Sequence, residues 1–158
     1  MCVSFSAQKR PSRWSQRLMV GKAKAPTAAE KARMDVSKHH IPCLCCLLSR
    51  AGTRLPTIHH ITSGFKRKGH HATLSLCEWH HQGYPFGNLT NQEMSGLLGP
   101  SLAHSKRQFN LEYGGERILL EVQNFLLNCF QDSPWLDYDV SPLVKSQAIE
   151  FWIKRSRN

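Results

Sequence analysis

Ile58-His59-His60-Ile61, the basic run Lys66-Arg67-Lys68-Gly69-His70-His71, and Leu74-Ser75-Leu76-Cys77-Glu78-Trp79-His80-His81 make up the stretch whose reading decides the fold. Six of the chain's nine histidines lie in it, beside one cysteine and downstream of Cys43-Leu44-Cys45-Cys46. Histidine and cysteine are the usual ligands of zinc, and histidine is the usual general base near neutral pH. The cluster therefore supplies parts for a structural metal and for a hydrolytic centre.

Two strands and a helix fit the pattern. Thr73 to Leu76 alternates as a half-buried strand does, and Thr57 to Ile61, between Pro56 and Gly64, is its expected partner. Cys77-x-x-His80 falls where the second strand turns into a helix. Together with Cys43 and Cys46 it makes a closed four-ligand set for one zinc, with Cys45 either a substitute ligand or a buried thiol. Such an ion matters because two strands and one short helix bury little apolar surface. Neighbours on a strand point to opposite faces, so His59 and His60 cannot both face one way unless a local bend intervenes. Neighbours on a helix diverge by about 100°, so His80 can face the zinc while His81 faces a cleft.

Outward from this centre, Thr27-Ala28-Ala29-Glu30 has the spacing of a capping box, and a helix from about Ala28 to Lys38 should end before Pro42. Gln82 to Gly99 reads as loop with a turn of helix around Gln92 to Leu97. Pro100-Ser101 opens a helix to about Leu111, which Tyr113-Gly114-Gly115 breaks. Glu116 to Phe130 resumes as helix, its apolar face of Ile118, Leu119, Val122, Phe125, Leu126 and Leu127 being core or, less simply, a dimer seam. Asp132 to Val140 reads as linker, and Ser141 as the cap of a last amphipathic helix. The expected division is an arm at 1–25, a domain at 26–131, and a linker with helix at 132–158.

A net charge of +10 over 158 residues points to a polyanionic partner, nucleic acid before an anionic membrane. Residues 1–25 have no acidic side chain and carry Lys9, Arg10, Arg13, Arg17, Lys22 and Lys24. That composition buries too little apolar surface to fold alone, so a disordered, phosphate-holding arm is expected; a mitochondrial-type presequence has the same look. No run is long enough to cross a bilayer and there is no apolar signal segment. The six cysteines have metal-site rather than disulfide spacing, so the expectation is an intracellular chain.

Two Cys-x-x-Cys-like pairs flanking a His-His-Ile strand and closing on a further histidine resemble the HNH, or ββα-metal, endonucleases. The chain is still more similar to the phage recombination-enhancement (Ref) group of RecA-dependent nucleases. That resemblance rests on Pro26-Thr27-Ala28-Ala29-Glu30-Lys31, Ile58-His59-His60-Ile61, His70 and Leu76-Cys77-x-x-His80-His81. It continues in Ser101-Leu102-Ala103-His104-Ser105-Lys106-Arg107-x-Phe109, Tyr113-Gly114 and Leu119-Leu120. It covers roughly Pro26 to Leu127. Histidine replaces the last cysteine of the closing element, and Ala72 falls near the middle asparagine of many HNH enzymes.

The resemblance implies an α+β fold, a small zinc-supported ββα-metal core with additional helices. It implies a metal-dependent DNA endonuclease of bacterial cytoplasm, acting in recombination on DNA presented by a RecA filament. His59 and His81 are then ligands of the catalytic ion, with His70 or His104 as third ligand, and His60 is the general base. The ion is magnesium or manganese by resemblance, while the imidazole-rich ligands suit zinc as well. Lys66, Arg67, Lys68, Lys106 and Arg107 are candidate phosphate contacts. The rival reading is a non-enzymatic zinc module that binds DNA or protein.

Overall fold

The computed structural model describes residues 25–64 and 66–157; the basic arm, Ala25 excepted, lies outside them. The first helix, α1 (Ala28–His39), starts as its sequence predicts. Thr27 Oγ1 accepts from the Glu30 N–H at 3.3 Å, and the Glu30 carboxylate takes the Thr27 N–H at 2.8 Å. After Pro42 a short helix, α2 (Leu44–Leu48), begins with Cys43 as its N-cap. Every residue of α2 is buried.

Next comes an antiparallel hairpin of β1 (Thr57–His60) and β4 (Thr73–Leu76), with His59 opposite Leu74 and His60 opposite Thr73. The basic run at its tip folds into a smaller pair, β2 (Thr62–Ser63) with β3 (Lys66–Arg67). β4 leads through Cys77 into α3 (Glu78–Gln82), giving a strand–strand–helix order. Alternation in β4 had suggested a half-buried strand, yet all four of its residues are buried. Helices α1 and α2 touch it, as does α6 (Gly115–Asp132).

The serine in β4 is tolerated inside because its polar groups are matched. Its N–H donates to Gln123 Oε1 at 2.7 Å, its hydroxyl to the Ser37 carbonyl at 2.9 Å, and Gln123 Nε2 reaches Ser37 Oγ at 2.9 Å. Each such group left unpaired would cost about 1–3 kcal/mol. This trio fastens α1 and α6 to the hairpin.

Two helices differ from the sequence expectation. The turn of helix expected around Gln92 to Leu97 is there but longer, as α4 (Asn91–Leu98), opened by a second capping box between Thr90 and Glu93. The helix expected from Pro100 starts later, as α5 (Lys106–Tyr113), because Ser105 caps it by accepting from the Gln108 N–H. Ser101 instead holds a turn, its hydroxyl accepting from the His104 N–H at 3.2 Å.

The last helix, α7 (Pro142–Ser156), is capped by Ser141 and lies against α6 and α2. Phe151 stacks on Phe125 at 5.4 Å, and Trp152 Nε1 donates to the Tyr113 carbonyl at 3.0 Å. In the connection before it, Trp135 Nε1 donates to the His40 carbonyl at 2.8 Å. Val140 and Ala148 are fully buried, so the segment after Asp132 contributes to the core. The protein is a small mixed α/β domain. Among the described residues no helix is long and apolar enough to cross a membrane.

Candidate active site and metal centre

Cys43, Cys46, Cys77 and His80 meet in the core, their ligand atoms all within 4.8 Å of one another and every residue buried. Two helix starts make this possible. Cys43 and Cys46, at the N-cap and third residue of α2, share one helical face, whereas Cys45, buried beside them and hydrogen-bonded to Cys43, is not one of the four. Cys77 caps α3 and His80 follows one turn later, the same spacing again. His80 Nδ1 lies 3.4, 3.6 and 3.2 Å from the sulfurs of Cys43, Cys46 and Cys77.

The far side of the His80 ring fixes which nitrogen faces the sulfurs. Nε2 donates to the Leu98 carbonyl at 2.9 Å, so Nδ1 keeps its lone pair for an ion. Tyr113 donates its hydroxyl to the same carbonyl at 2.9 Å. It occupies the space a Cβ on Gly99 (φ +85°) would need, so glycine is required there.

Protons alone balance this cluster poorly. Burial opposes charge on Cys43, but hydrogen bonds from Cys45, Cys46, Cys77 and His80 hold its thiol well below the ordinary range. Cys43 and Cys77 then push the Cys46 thiol far up. Burial resists protonation of His80, yet the Cys43 and Cys77 sulfurs raise it to about 10. A divalent cation would take the place of these shared protons and leave several thiolates ionised. The donor set fits a metal such as zinc.

Beside this cluster, His59, His60, His70 and His81 come together in two ring pairs. Thr57 and His59 share one face of β1, and the His59 ring meets that of His81 edge-on, 4.9 Å between centroids. Thr57 Oγ1 donates to the Leu76 carbonyl at 3.0 Å and lies 2.8 Å from His81 Nδ1. With its only proton given away, the hydroxyl accepts from Nδ1–H and leaves the lone pair of His81 on Nε2. His59 Nε2 donates to Glu116 Oε1 at 2.8 Å, and Lys106 Nζ holds the other oxygen at 3.1 Å. Burial disfavours the Glu116 carboxylate, but hydrogen bonds from His59 and Lys106 outweigh it and lower its pKa.

His60, next along β1, meets His70, 5.7 Å between ring centroids. Burial first, then the positive charge of Arg67, lowers its pKa, so the imidazole is neutral at pH 7. His81 is lowered likewise, by burial and then by His59 and His60.

His104 sits at the end of α3, its Nε2 donating to the Gly83 carbonyl at 2.9 Å and its ring 5.6 Å from that of Trp79. Lys66, Arg67 and Lys68 are exposed at the hairpin tip, and Arg107 is exposed on α5. A groove of about 370 Å³ runs beside Glu116, lined by Lys68, Asn110 and Arg117 among others. Sequence reasoning missed three partners: Thr57, Tyr113 and Glu116. Glu116 left a faint mark, as an acidic residue in a first helical turn.

The geometry defines a class: a small mixed α/β protein with a Cys3His cluster that could hold a metal such as zinc, beside a pair of apposed histidines. A family model, described as recombination enhancement, RecA-dependent nuclease, matches residues 26–128. The chain belongs to that family, whose description makes it a nuclease of recombination. No curated protein and no solved structure matches the chain.

Proposed function

We propose that this protein is a metal-dependent DNA endonuclease of the HNH, or ββα-metal, type, acting on DNA presented by a RecA filament in the bacterial cytoplasm. The observation that carries the reading is the apposition of His59 and His81 at 4.9 Å, with neutral His60 next in the chain. The strand–strand–helix order of β1, β4 and α3 supports it.

In this reading His59 and His81 hold the catalytic ion, manganese, magnesium or zinc. The expected third ligands stand apart, His70 against His60 and His104 on the Gly83 carbonyl, so water and substrate oxygens would fill the remaining positions. Two imidazoles with a carboxylate close by fit a transition ion better than magnesium. The ion supplies charge neutralisation at the scissile phosphate and its leaving oxygen. His60 takes the proton of the water that attacks phosphorus, a step its neutral form can perform. The Cys3His zinc keeps α3, and with it His81, fixed against β1. Lys66, Arg67, Lys68 and Arg107 bind flanking phosphates, as does Lys106 from beside Glu116. The arm at 1–25 adds non-specific affinity.

The test is nicking of single-stranded and strand-invaded DNA, with and without RecA, in Mg2+, Mn2+ or Zn2+. His60→Ala should lower the rate by about 10²–10⁴-fold while zinc content and thermal unfolding stay as in the parent. Unchanged cleavage rejects His60 as the base. A parent protein that binds DNA but cuts it under none of these conditions is the non-enzymatic zinc module.

A further inference from the structure

Each of three histidines here has one ring nitrogen anchored to oxygen: His80 to a carbonyl, His81 to a hydroxyl and His59 to a carboxylate. Only the third partner is charged, and only it comes from a helix remote in sequence from the hairpin. Glu116 is the second residue of α6, entered through Gly114 and Gly115, both at positive φ. That tight entry suits glycine alone, since a Cβ on Gly114 would come within 3.1 Å of Ile118. It sets the carboxylate at the head of α6, where the helix favours negative charge.

Both carboxylate oxygens are engaged, one by His59 and one by Lys106, so the group cannot turn without losing a bond. The side chains of His59 and Glu116 are each only 15% exposed, so water screens the pair little. The bond donates His59 Nε2–H and leaves Nδ1 as the nitrogen with a lone pair.

We propose that Glu116 is a positioning residue: it fixes the tautomer and ring orientation of His59 and presents Nδ1 to a divalent cation. A carboxylate behind a metal-binding imidazole does this generally, and its loss weakens metal affinity by about 10–100-fold. The inference rests on the reading of His59 as a ligand. Lys106 keeps the carboxylate aimed by holding its second oxygen.

The test uses the full chain with zinc retained in the cysteine cluster. Ring nitrogen–proton correlation spectra, recorded before any second metal is added, report the His59 tautomer, and Mn2+ titration followed by electron paramagnetic resonance reports affinity. The parent should show the Nε2–H tautomer. Glu116→Ala should show a tautomer mixture and Mn2+ affinity about 10–100-fold weaker, at unchanged zinc content. Glu116→Gln, which keeps size and an acceptor oxygen, should preserve the tautomer and lose a smaller part of the affinity. It carries the test if the alanine variant does not fold.

Parental Mn2+ affinity in both Glu116 variants, alongside a deficit in His59→Ala, overturns this inference alone. Parental affinity in His59→Ala removes the ligand reading beneath it.

Discussion

His80 and His81 are chain neighbours, yet they belong to regions built on opposite principles. His80 is wholly buried among three sulfurs, its ring locked by the Leu98 carbonyl and Tyr113. His81 is half-buried and meets the His59 ring edge-on. One step along α3 separates a sealed four-donor cage from a partly exposed histidine pair. A closed ligand set stores folding energy, whereas an open set can do chemistry. Both histidines sit on the same Cys77-Glu78-Trp79-His80-His81 segment, so the cage fixes where His81 stands.

The comparison breaks most visibly at the cage. Cys46→Ala should lose bound metal and the cooperative unfolding transition together. Structural zinc contributes about 10–16 kcal/mol in small domains, against a total stability of about 5–15 kcal/mol. Elemental analysis and circular dichroism check this, and a folded variant that retains zinc would contradict the cage.

A smaller effect sharpens the histidine side. His60 must be neutral to accept a proton, and burial with Arg67 lowers its pKa from the ordinary 6.5. The acid limb of single-turnover nicking should therefore be centred below 6.5. Below the lowered pKa the rate should fall about tenfold per pH unit as the imidazole protonates. An acid limb centred at or above 6.5 would show that some other group titrates.

The cage was legible because its chemistry is local: two spacings of i and i+3, each on one helical turn, name four donors. Of the two alternatives for Cys45, the buried thiol is the one seen: it lies beside Cys43 and is not among the four donors. The orientation of the histidines was legible in part, since strand and helix periodicity separate His59 from His60 and His80 from His81. Glu116 was not, because its hydrogen bond to His59 spans 57 positions and depends on how α6 crosses the hairpin. The capping box Thr90-x-x-Glu93 was written as plainly as Thr27-x-x-Glu30. It was overlooked because surrounding glycines and Pro85 gave the segment a loop's composition. The burial of Ser75 was hidden for the converse reason, as its partners Ser37 and Gln123 come from two distant helices.

The division of labour between cage and histidine pair is tested most directly by anomalous scattering from crystals of the zinc protein soaked in Mn2+. The account predicts a zinc peak among Cys43, Cys46, Cys77 and His80 and a separate manganese peak between His59 and His81. Manganese bound elsewhere, or zinc at the histidine pair with none at the cysteines, would contradict it.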